Sequence, residues 1–114
     1  AAFDRVVLNP GTSADEVYFS RPATDTGVLF ELAGNSWPGY STPAYMPDYS
    51  RNHFAMLAYD VSNTAAMEDA IDLAISRNFG YVFITDDTLP NPWDALPSYW
   101  TQEIAYISSV SSKD

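Results

Sequence analysis

The sequence predicts an α/β fold built on a parallel sheet, and three observations predict it. Short apolar runs begin near residues 6, 28, 54 and 81, at intervals of about 22 to 27 residues. Each run is followed by a loop and usually by a helical pattern, the alternation that implies parallel strands joined by right-handed crossovers. Several runs stop at a polar or acidic residue, as strands do where a site gathers at their carboxyl ends.

The elements follow in order. Val6-Val7-Leu8 reads as a buried strand that Asn9-Pro10-Gly11 ends. Ser13-x-x-Glu16 fits a capping box, predicting a short helix to about Ser20 that Pro22 closes. Val28-Leu29-Phe30 is the second strand, ending in Glu31. Residues 32–51 form a long aromatic loop with Trp37, Tyr40, Tyr45 and Tyr49, a length usually tied to function. Phe54–Tyr59 is the third strand, and Asn63 or Thr64 caps the next helix. Met67, Ala70, Ile71 and Ala74 recur at i, i+3, i+4 and i+7, one apolar helix face. Arg77 suits the negative end of that helix, and Asn78 or Gly80 terminates it. The fourth strand, Tyr81–Thr85, runs into Asp86 and Asp87, and then a loop carries Pro90, Pro92 and Trp93. A last helix is expected from about Leu96 to Val110, with Pro97 in its first turn and Trp100, Ile104 and Ile107 on one face. Four such units are half of a (β/α)8 barrel, which takes roughly 250 residues. A small doubly wound parallel sheet is the alternative, and periodicity does not separate the two.

Composition bounds the function. The chain has 114 residues, enough for one segment with a modest core, and no cysteine. Fifteen acids face five Lys and Arg, for a net charge of −10. Such a balance argues against nucleic acid as a partner, since phosphates need a basic face. No apolar run approaches the roughly 18 residues of a membrane span. The first residues, Ala1-Ala2-Phe3-Asp4-Arg5, do not read as a signal peptide. The only histidine, His53, precedes its strand and belongs at the opposite end of the sheet from the acids, which leaves no Ser-His-Asp set. No phosphate loop, metal-ligand spacing or cofactor motif is present.

Parallel strands bring Asn9, Glu31, Tyr59 or Asp60, and Asp86 with Asp87, to one end, joined there by loops bearing Trp37 and Trp93. Carboxylates among aromatic platforms suit a sugar site. Glycoside hydrolysis usually takes two carboxyl groups, and rings stack on the apolar face of a sugar. Each residue also has a plain structural reading. Glu31 fits a surface acid, Asp86 or Asp87 a cap, Asn9 a turn residue, and Trp93 and Trp100 packing.

Val6-Val7-Leu8-Asn9-Pro10-Gly11-Thr12, Phe30-Glu31, Gly80–Asp87 and Pro92-Trp93-Asp94-x-Leu96-Pro97-Ser98-Tyr99-Trp100 together resemble the carboxyl-terminal half of the spherulin-4 family. The resemblance implies a (β/α)8 barrel and a secreted or cell-surface hydrolase. Its substrate would be α-1,4-linked N-acetylgalactosamine polymers of fungal exopolysaccharide, such as the galactosaminogalactan of biofilms. The four strands would be the fifth to eighth. Of the family's catalytic carboxylates, an Asp-Glu pair on the fourth strand and a Glu on the sixth, only the last has a counterpart, Glu31. Asn9, Trp37, Tyr59, Asp86, Asp87 and Trp93 would contact substrate. Activity would then require the amino-terminal half of the barrel, and the exposed strand edges would pair with that half or with a second copy. A non-catalytic carbohydrate-binding or inert half-barrel is the competing expectation.

Overall fold

A computed structural model of the chain describes residues 5–21 and 24–111. The opening residues and the helix-closing Pro22 lie outside them. Among the described residues the elements are β1 (Val7–Leu8), α1 (Val17–Ser20), β2 (Thr26–Ala33), β3 (Phe54–Tyr59), α2 (Thr64–Ser76), β4 (Tyr81–Ile84) and α3 (Trp100–Ser111). Three short 3-10 turns fill the long connection between β2 and β3. The strands form one sheet in the order β1-β2-β3-β4, every pair parallel.

This order decides the architecture. A doubly wound sheet reverses its strand order at a switch point, which sends helices to both faces. Here the order never reverses, so right-handed crossovers all fall on one face. The side chains agree. Met56 and Ala58 of β3 have no exposed surface, whereas Leu57 and Tyr59, on the other face of the same strand, are half-buried. Helix α2 lays Met67, Ala70, Ile71 and Ala74 on the covered face, the stripe its spacing predicts. Burying Met67 and Ile71 contributes about 1.5–3 kcal/mol each. Asn63 caps α2 by accepting from the Ala66 N–H at 2.8 Å, and Asn78, with φ 68°, ends it in the left-handed conformation. Arg77 closes the helix onto the long loop, donating to the carbonyls of Trp37 and Pro38.

Three expectations fail locally. The Ser13–Glu16 capping box does not form; Ser13 meets the Tyr40 hydroxyl, and α1 is a single turn begun by Asp15, which accepts the Val17 N–H. Pro97 stands ahead of α3, which starts at Trp100. That helix buries Glu103 and half-buries Tyr106, Ile107 and Val110, while Ile104 faces solvent. The packed face is therefore offset from the expected one by roughly a fifth of a turn, with Ile107 common to both.

Candidate functional site

The site begins with an irregularity in β2. Gly27 pairs with Phe54 and Val28 with Ala55, but Phe30 pairs with Met56 and Glu31 with Leu57. One extra residue, Leu29, therefore sits in β2 as a bulge. Gly27 lies on the covered face, where a Cβ would meet the Phe19 ring at 2.8 Å. In a regular strand Glu31, four residues on, would share that face and be driven into the core. The bulge switches the alternation, so Phe30 packs on Trp37 at 4.7 Å and Glu31 turns to the bare face beside Leu57.

Asn9 meets it there. The turn after β1 takes Gly11 at φ 70°, and its N–H bonds the Val28 carbonyl at 3.1 Å, folding the loop over β2. Asn9 Nδ2 then donates to Glu31 Oε1 at 2.9 Å. This orients the carboxyl group, and Glu31 stays half-buried rather than enclosed.

Across the bare face, Tyr59 at the end of β3 meets the Trp93 ring edge-on at 6.0 Å. Trp93 also rests against Phe83 of β4 at 6.0 Å, with Trp100 behind at 5.8 Å. Trp93 keeps 37% of its surface exposed, so an aromatic shelf remains open. Trp100 packs.

The two acids after β4 have separate tasks. Both Asp86 oxygens accept from Ser98, one from its N–H at 3.1 Å and one from its hydroxyl. These bonds hold the Asp86 carboxyl below its ordinary range and fix the approach to α3. Asp87 Oδ1 accepts the Thr88 N–H at 2.8 Å, and its carbonyl accepts the Asp60 N–H at 2.9 Å. Asp94 is raised by its hydrogen bond to the Asp87 carboxylate and by that charge. Sequence reasoning passed over Asp94, although it sits in the quoted Pro92-Trp93-Asp94 stretch.

Trp37 is corrected. It is 1% exposed, its Nε1–H bonds the Ala70 carbonyl at 3.1 Å, and its ring lies among Phe30, Tyr40 and Phe79. The turn after β2 carries it outward beneath α2, so it is core on the helix side and no sugar platform. His53 lies at the start of β3, its Nδ1 at 2.8 Å from the Asp25 carbonyl, away from the acids as its position required.

Sequence reasoning also missed Glu103. It is fully buried on α3; Oε1 accepts the Ile84 N–H at 2.8 Å, and Oε2 has no partner. Burial pushes its carboxyl up to about 7. No apolar periodicity marks such a residue; only its place between a helix and a strand does. Among the described residues, no group of three His, Cys, Asp or Glu side chains comes together as a metal site, and no helix is long and apolar enough to cross a membrane.

A half-turned parallel sheet with helices on one face, and an oriented carboxylate and aromatic shelf on the other, defines half of a (β/α)8 barrel. The structure resembles the crystal structure of Aspergillus clavatus Sph3 in complex with GalNAc, with a TM-score of 0.72 and 18% sequence identity. The match covers 91% of this chain and 42% of that one, so the chain spans less than half the length of the solved structure it matches. The family model of Spherulin4, spherulation-specific family 4, matches residues 2–107, and the chain belongs to that family. No curated protein matches the chain in sequence.

Proposed function

We propose that this chain is the carboxyl-terminal half of an endo-acting, secreted or cell-surface glycoside hydrolase. It cuts α-1,4-linked N-acetylgalactosamine polymers and is active when four further β/α units complete the barrel. The observation that carries the reading is Glu31: a bulge aims it onto the bare face, Asn9 orients it, and the aromatic pair Tyr59–Trp93 shares that face. Family membership and the GalNAc bound in the Aspergillus clavatus protein support the substrate class. Hydrolysis needs a carboxyl group on each side of the scissile bond. Glu31 supplies one, and the completing half supplies the other. Asn9 and Trp93 contact the polymer, with Tyr59 behind Trp93, while Asp86 and Asp87 shape the loop that presents it.

The engagement of both Asp86 oxygens favours one second reading, a half-barrel that binds the polymer without cutting it. The test measures reducing ends released from N-acetylgalactosamine polymer by the chain alone and with an amino-terminal half supplied. Release in the mixture is expected. Binding without release in either case leaves the second reading, and neither binding nor release removes both.

A further inference from the structure

A second concavity lies on the opposite side of the sheet from Glu31. It is a cleft of about 340 Å³ between the turn after β2, the turn after β3 and the first half of α2. Exposed Pro38 and half-buried Ala66 and Leu73 give it accessible apolar walls over buried Trp37 and Val61, and exposed Asn35, Asp60 and Asp69 line it as well. Clefts of this size with apolar walls and a few polar groups at one end suit small organic ligands.

Its charge is one-sided. Two carboxylates line the cleft, and among the described residues no Lys or Arg does. Arg77 stacks over Trp37 at 4.6 Å, but its guanidinium is turned to the Trp37 and Pro38 carbonyls and stays outside the lining. Asp60 is fixed in the left-handed region, φ 57°, by its N–H bond to the Asp87 carbonyl. Because β2, β3 and α2 make the cleft, completing the barrel at β1 and β4 leaves it open.

We propose that this cleft binds a small organic ammonium ion, its apolar body against Pro38, Ala66 and Leu73 and its charge between Asp60 and Asp69. The proposal does not rest on the hydrolase reading, since Glu31 lies beyond the sheet. Two kinds of molecule carry this chemistry, an amino sugar and an aliphatic or cyclic amine.

The test is an NMR titration of the 114-residue chain with galactosamine and, separately, with cyclohexylmethylamine; N-acetylgalactosamine serves as the uncharged counterpart. Saturable shifts are expected at the amides of residues 60–62 and at the Trp37 indole N–H, with a dissociation constant on the order of 1 mM. Galactosamine binding identifies an amino-sugar site, and cyclohexylmethylamine binding alone an amine site. Ala66→Leu fills the cleft and abolishes the shifts. Asp69→Asn, an isosteric change on an exposed helix position, weakens binding at least threefold and decides the matter if Ala66→Leu does not fold. No saturable shift with either amine overturns the proposal. Equal binding of N-acetylgalactosamine, or affinity unchanged in Asp69→Asn, overturns it as well.

Discussion

Glu31 and Glu103 are carboxyl groups on opposite faces of one sheet, and their surroundings give them opposite tasks. Glu31 is half-buried and held by Asn9, which suits the catalytic role proposed for it. In the completed enzyme, Glu31→Gln should lower turnover by a factor on the order of 10², the scale of acid–base groups, while polymer binding survives. Near-normal turnover in that variant would remove Glu31 from the mechanism. Asn9→Ala should cost less, about fivefold, for the loss of one exposed hydrogen bond worth roughly 1 kcal/mol. Glu103 acts on stability instead. Its pKa rises from an ordinary 4.5 to about 7 in the folded chain. Below 4.5 both folded and unfolded chains hold the proton, and Glu103 is neutral in each. Between the two values only the folded chain holds it, so stability falls as pH rises and levels off above 7. The loss is roughly 3 kcal/mol. Glu103→Gln keeps the acceptor for Ile84 and cannot ionise. Urea midpoints from pH 5 to 8 should show the variant gaining on the parent as pH rises; a constant gap between them would refute this assignment.

Among the elements, α2 and β4 depend on local chemistry that a single substitution reaches. The Asn63 side chain satisfies the Ala66 N–H, so Asn63→Ala should destabilise the chain by about 1 kcal/mol. Gly80, just before β4, is held by close approach: a Cβ there would sit 2.4 Å from the Arg51 carbonyl oxygen and 2.8 Å from its carbon. Backbone cannot step aside as a side-chain tip can. Gly80→Ala should therefore cost about 1–3 kcal/mol by separating the turn before β3 from the start of β4. Thermal unfolding of the two variants checks both, with Gly80→Ala the lower. Gly27 makes the useful contrast, since its nearest neighbour is the Phe19 ring rather than backbone.

Taken whole, the chain has a covered face, a bare face, and two sheet edges, β1 and β4, unpaired among the described residues. Unpaired edges present N–H and C=O groups to any passing strand. Val7 at 56% and Tyr81 at 44% exposure add apolar surface at both ends of the sheet. The chain alone should self-associate, and an amino-terminal half should compete with that association. Sedimentation velocity over a range of concentrations measures both. A monodisperse, stable monomer would show that the edges are protected and would count against the half-barrel acting as an incomplete unit.

Local spacing was enough for the four strands and the three helices, the α2 stripe, the Asn63 cap and the collection of Asn9, Glu31 and Tyr59 toward one end of the sheet. Those features are written at periods of two and 3.6 residues and in turn chemistry, which neighbours in sequence settle among themselves. Three decisions came only from tertiary packing. The unreversed strand order separated half-barrel from doubly wound sheet, because strand neighbours are chosen by long-range pairing. The bulge at Leu29 put Glu31 on the bare face; counting residues from Gly27 would have sent it into the core. Trp37 and Glu103 were misread or missed because burial depends on what crosses over a residue. For Trp37 that is α2, thirty-three positions away at Ala70; for Glu103 it is the Ile84 N–H, nineteen positions back.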